Sequence, residues 1–162
     1  MIAARYSSAV TEILMNRYRP ALEPLLEPGE QLLDVATVVP VAGAKGVGHG
    51  VGAKVGNALG QLGGVSGGAG SLADGFPTTE GAAMVRLLVV TDRRTAVVAT
   101  LDVRKPGRLL WHAPRNFVAR IERRPRWQAM ARFRLHFADG SAVSMYTARR
   151  RTIESLADHL GR

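Results

Sequence analysis

From Ala131 to Ala138 the chain reads ARFRLHFA, with Phe133, Leu135 and Phe137 on one side and Arg132, Arg134 and His136 on the other. Strict alternation is the period of a half-buried β-strand, because successive side chains leave a strand on opposite faces. Asp139-Gly140 follows, the dipeptide of a two-residue hairpin turn, and 142–147 (AVSMYT) returns as the partner strand. Five earlier segments also read as strands: 31–39 (QLLDVATVV), 82–90 (AAMVRLLVV), 95–101 (TAVVATL), 108–113 (RLLWHA) and 117–122 (FVARIE). Thr91-Asp92-Arg93-Arg94 turns the second into the third, and Pro114 and Pro125 stop the last two.

Amphipathic helical spacing marks the two ends. Val10, Ile13, Leu14, Tyr18, Leu22 and Leu25 form an apolar face near a 3.6-residue period, with Ser8 as the expected N-cap. Pro20 predicts a break or a kink after Arg19, since proline lacks an N–H and disfavours helix at the residue before it. At the other end Ile153, Leu156, Ala157 and Leu160 share one face of a closing helix. The expected class is therefore mainly β (α+β by content): seven antiparallel strands that fold over themselves to bury one face, capped by the C-terminal helix, with an N-terminal helix added. The expected divisions are an N-terminal amphipathic helix over 1–27, a β domain over 28–41 and 77–162, and an insertion over 42–76.

That insertion is glycine-rich and nearly uncharged: 14 of the 18 glycines lie between Gly43 and Gly81. Gly48, Gly52, Gly56, Gly60, Gly64 and Gly68 recur every four residues, beside a row of Val47, Val51, Val55 and Leu59. On a helix this is a glycine zipper, a smooth groove that another helix could approach closely. Each helical glycine costs about 0.8–1.0 kcal/mol relative to alanine, so such a helix needs a partner, and a flexible loop is the alternative.

Charge separates along the chain. Residues 1–41 hold three Lys/Arg and five Asp/Glu, whereas residues 82–162 hold 17 and six, which places +11 in the second half. Nineteen of the 22 cations are arginine, the side chain suited to bidentate contact with phosphate and carboxylate. Arg120, Arg132 and Arg134 take outward positions on strands expected to be neighbours. Arg123, Arg124 and Arg126 lie in the connection beside Trp127, and Arg149, Arg150 and Arg151 precede the last helix. Free helix N–H groups next to three arginines would suit an anion, unless the helix starts only near Thr152.

Chemistry of other kinds has little footing. With no cysteine there is no disulfide framework, thiol nucleophile or cysteine-ligated metal. The four histidines stand on separate elements, without an HExxH, nucleophile-elbow or Walker A pattern; only His112 and His136 are candidates for being brought together by sheet pairing. No metal, cofactor or small-molecule substrate is expected, and no catalysis. There is no run of 18 apolar residues and no signal-peptide pattern, so a cytoplasmic location is expected.

Taken together, LEPGEQLLDVATV, LLVVTDRRTAVVATL, GRLLWHAPRNFVARIER and FRLHFADGSAVSMYTARRRTIESLADHL resemble the bacterial pleckstrin-homology-like domains of the PH/GRAM-like superfamily, over roughly residues 25–41 and 80–161. The resemblance implies a seven-stranded antiparallel barrel or orthogonal sandwich closed by the final helix. The N-terminal helix and the insertion between strands 1 and 2 depart from it. Lipid-binding members place basic residues in that loop; this chain has only Lys45 and Lys54 there, so inositol-phosphate specificity is not expected. The expected role is that of a non-catalytic interaction module, for protein contact or self-assembly through the insertion. The alternative is peripheral binding to an anionic membrane at the inner face of the cell through the arginine face, with nucleic acid a lesser candidate.

Overall fold

The computed structural model describes residues 2–41, 64–77, 84–125 and 130–161, with side chains from Thr11 onward. The fold is mainly β, with one helix at each end. In chain order the elements are α1 (Ile2–Leu22), β1 (Leu32–Pro40), β2 (Val65–Ser66), β3 (Val85–Thr91), β4 (Arg94–Thr100), β5 (Arg108–Pro114), β6 (Val118–Arg123), β7 (Ala131–Phe137), β8 (Ala142–Thr147) and α2 (Arg150–Leu160). The strands form one antiparallel sheet in the order β5-β4-β3-β1-β8-β7-β6, with β2 added to β8.

β1 joins the two halves of this sheet. Its first part pairs with β3, from Leu32 opposite Thr91 to Thr37 opposite Leu87. Its last three residues pair with β8, from Val38 opposite Thr147 to Pro40 opposite Met145. β2 then takes the rest of the β8 edge, with Val65 opposite Val143 and Ser66 opposite Ala142, and the Ser144 N–H donates to the Gly64 carbonyl. β1 and β2 both run antiparallel to β8, so β2 continues the line of β1 along the same edge. The two-residue β2 is an eighth strand where seven were expected. Two residues are too short to show a period, so the sequence alone leaves them within the glycine-rich insertion.

The core lies between the two halves of the sheet. Ala36, Val38, Leu88, Val90, Val97, Trp111, Phe133, Leu135, Phe137, Val143 and Met145 fill it, and Ile153, Leu156 and Leu160 of α2 close it. Residues 64–77 contribute to it as well. Phe76 is buried with its ring centroid 5.1 Å from that of Trp111, and Trp111 lies 5.5 Å from Phe137. Gly64 and Gly68 flank β2 and are not helical, so the four-residue repeat does not end as a zipper helix. The other repeat members, Gly48, Gly52, Gly56, Gly60, Val47, Val51, Val55 and Leu59, lie outside the described residues.

α1 covers the outside of the first half-sheet. Tyr18 and Leu22 pack on Val35, Leu87, Val89, Ala96 and Val98. This explains why 87–90 and 95–99 are apolar without alternation: both faces are buried, one against the core and one under α1. α1 begins at Ile2, so Ser8 lies within it and is not its cap. It also continues through Pro20 to Leu22, followed by a 3-10 turn over Glu23–Leu25. The missing N–H of Pro20 falls in the last turn, where burial of Tyr18, Ala21 and Leu22 holds the chain and Gly107 donates its N–H to the Ala21 carbonyl at 2.8 Å. Ile13, expected on the apolar face, is 67% exposed.

A candidate anion-binding face

Among the described residues no helix covers the outer face of β6 and β7, whereas β8 is buried along its whole length. Here β7 keeps its alternation, buried Phe133, Leu135 and Phe137 against half-exposed Arg132, Arg134 and His136. The register brings the outward side chains into rows. Arg120 stands opposite His136, which stands opposite Ala142; Glu122 stands opposite Arg134, which stands opposite Ser144; and Arg132 stands opposite Tyr146. Beyond the end of β6, the Arg124 N–H donates to the Arg132 carbonyl at 3.0 Å and keeps Arg124 in line.

Arg134 donates to the hydroxyls of Ser66 on β2 and Ser144 on β8, so two strands fix its guanidinium. Burial, and then the nearby charges of Arg124 and Arg132, lower its pKa, while Glu122 acts in the opposite sense. Arg132 lies with its guanidinium carbon 5.9 Å from the Tyr146 ring centroid, a cation–π distance. Its Nε is buried and has no hydrogen-bond partner among the described residues. Val39, Val41 and Met130 pack with Tyr146 in a small apolar cluster beside it, in which Val41 and Tyr146 are buried.

Glu122 is the acid at the centre of the face. Its carboxylate takes His136 Nε2 at 2.7 Å, Arg124 Nε at 3.5 Å and Arg120 Nη2 at 3.9 Å. The His136 hydrogen bond holds it below the ordinary carboxylate range; burial is the next largest influence and opposes this, and the Arg124, His136 and Arg120 charges add to the lowering.

Of the expected residues, Arg120, Arg124, Arg132 and Arg134 come together on this face. Arg123 does not share it: it is the last residue of β6, not part of the connection, and pairs with Glu154 on α2 at 3.3 Å. Arg149 is extended (φ −135°, ψ 141°) and α2 begins at Arg150, so Arg150 and Arg151 occupy its first turn without an acid. The expected alternative start at Thr152 is therefore two residues late, and both cations oppose the helix dipole. Because Ala131 pairs with Thr147, Arg149 lies near the end of the sheet at which Arg124 and Arg132 stand. Arg126 and Trp127 lie outside the described residues. Sheet pairing does not join His112 to His136, since β5 and β7 are far apart in the strand order.

Glu122, Ser66, Ser144 and Tyr146 were not foreseen as part of the face. Glu122 alternates with Arg120 in FVARIE and was visible as an outward residue, but its partners depend on a β6–β7 register that spacing alone does not supply.

Elsewhere, a groove of about 290 Å³ between α1 and β1 is lined by Arg19, Glu23, Leu26, Glu30, Gln31 and Leu32, and its Glu30 carboxylate is already bonded to Arg94 and Thr91. Among the described residues, no group of three or more His, Asp or Glu is placed to hold a metal ion. No helix among them is long and apolar enough to cross a membrane. Comparison of the chain with protein-family models, with curated proteins and with solved structures finds no match.

Proposed function

We propose that the chain is a non-catalytic, PH-like interaction module. The antiparallel strand order, in which the first strand meets the last and the final helix closes the core, supports the PH-like part of the reading. The observation that carries the interaction part is the asymmetry of the sheet. One outer face is buried under α1, and the other presents arginines at fixed positions on strands. Side chains held on strands keep their spacing, which suits recognition.

The first partner class is protein, including a second copy of the chain. Light scattering behind size exclusion, over a range of protein concentrations, tests self-assembly. A mass that rises to a defined oligomer supports it, and a monomer throughout removes it. The second reading is peripheral attachment to an anionic membrane, and the cluster of Arg120, Arg124, Arg132 and Arg134 favours it. Sedimentation with anionic but not zwitterionic vesicles, lost at high salt, is the expected result.

A further inference from the structure

We propose that the end of the sheet at which β6 and β8 finish is a docking surface for an anionic phospholipid bilayer, with Arg149, Arg150 and Arg151 as its principal cations and Arg124 beside them. This surface deepens the membrane reading above and rests on it.

Strand register gathers these residues. Arg123 stands opposite Phe133, the Arg124 N–H donates to the Arg132 carbonyl, and Ala131 stands opposite Thr147, so β6 and β8 finish where β7 begins. Just beyond Thr147 comes Arg149, and Arg150 and Arg151 open α2. α2 then runs back along β6: Arg123 pairs with Glu154 at 3.3 Å near its start, and the Ile121 N–H donates to the Gly161 carbonyl after its end. Five arginines, 123, 124 and 149–151, thus reach one end from two strands and a helix.

Access separates this end from the sheet face. On the face, Arg120 and Arg124 lie within ion-pair distance of Glu122, and Arg132 is half-buried against Tyr146. Arg149, Arg150 and Arg151 are exposed, and none forms an ion pair among the described residues. Glu122 and Glu154, the acids on the adjoining turns of β6 and α2, are already paired with arginine. Two cations in the first turn of α2, with no acid there, also oppose the helix dipole. Residues that break a local rule in this way are commonly kept for a functional surface. Crowded like charges raise the energy of the free protein, and a layer of phosphates lowers it.

The shape favours a plane. These cations stand at strand ends and a helix start, whereas the groove between α1 and β1 lies elsewhere on the molecule. Exposed arginine stems at one end of a sheet can meet a flat layer of headgroups together, and guanidinium groups suit phosphate oxygens.

The test sediments the full-length chain with vesicles of phosphatidylglycerol in phosphatidylcholine, at low and high salt. A triple variant, Arg149→Gln with Arg150→Gln and Arg151→Gln, is set against a control triple of equal charge, Arg104→Gln with Lys105→Gln and Arg108→Gln, exposed cations on the β4–β5 connection. With about fivefold for each cation at such a surface, the first triple should bind about a hundredfold more weakly, and the control should stay near the wild type. The first triple should melt no lower than the wild type, since it removes cations that oppose a dipole. Glu154→Gln reads the same surface as a gain: it frees Arg123 and should tighten binding about fivefold. Its control is Glu27→Gln, which breaks a similar exposed pair with Arg93 elsewhere and should change little.

Equal weakening by the two triples overturns the surface and leaves membrane attachment standing, and so does a Glu154→Gln gain no larger than that of Glu27→Gln. No vesicle binding by the wild type overturns both. A final arm replaces vesicles with a short DNA duplex at the same salt; tighter binding to it than to the vesicles overturns the lipid assignment.

Discussion

Glu30 accepts four hydrogen bonds: from Arg94 Nε at 2.8 Å and Nη2 at 2.9 Å, from the Thr91 hydroxyl at 2.6 Å, and from the Glu27 N–H at 2.8 Å. Burial alone would raise its pKa, but these donors and the Arg94 charge outweigh it and bring the carboxyl from 4.5 to about 2. A folded-state pKa below the unfolded value means that the group stabilises the fold above pH 4.5, and that this contribution is lost as pH falls toward 2. The melting temperature of the wild type should therefore drop through that window, and Glu30→Gln should show a weaker drop there. Arg94→Ala should cost about 3–5 kcal/mol in chemical denaturation, because it leaves a buried charge without its partner. The pairing was not legible beforehand, since 64 residues separate Glu30 from Arg94 and no spacing rule links them. The alternation of 131–137 was legible, because it depends on nothing beyond the strand itself.

At the scale of elements, the two helices and β1 are joined by a short polar chain. The Ser155 hydroxyl on α2 donates to Asp34 Oδ2 at 2.7 Å and meets the Thr11 hydroxyl on α1 at 3.0 Å. Asp34 is 1% exposed, and its burial raises its pKa despite the bonds from Ser155 and the Val35 N–H. Ser155→Ala removes the middle of this chain and leaves the buried carboxyl a donor short. The expected cost is about 1–3 kcal/mol, with faster amide exchange along residues 11–22 as α1 loosens. The expected strands 31–39, 95–101, 108–113, 117–122 and 142–147 all lie within a residue or two of those observed. α1 starts ahead of Ser8, a good cap by type, because serine is also tolerated inside a helix.

Taken whole, the molecule matches the mainly β expectation, and the misreading fell where tertiary contact outweighs local pattern. The sequence places 64–76 in the glycine-rich insertion, as a flexible loop or part of a zipper helix, yet Ala73 and Phe76 are buried in the core. The Asp139 carboxylate and the Ser141 hydroxyl clasp this segment by accepting the Leu72 and Ala73 N–H groups at 2.8 and 3.2 Å. Phe76→Ala should cost about 3–5 kcal/mol, a value for a surface loop being near zero. A deletion that extends through Phe76 should lower the denaturation midpoint sharply.

The shared edge of β8 has one more consequence. Pro40 faces Met145 and Val65 faces Val143, so the chain departs and re-enters the sheet only about 7 Å apart along one neighbour. The length of what lies between is therefore uncoupled from the register of every strand. Residues can be gained or lost there one at a time without sliding a single hydrogen bond of the sheet. That makes this junction the natural port for a genetic graft, such as a reporter domain or an epitope, with the sheet as an undisturbed chassis.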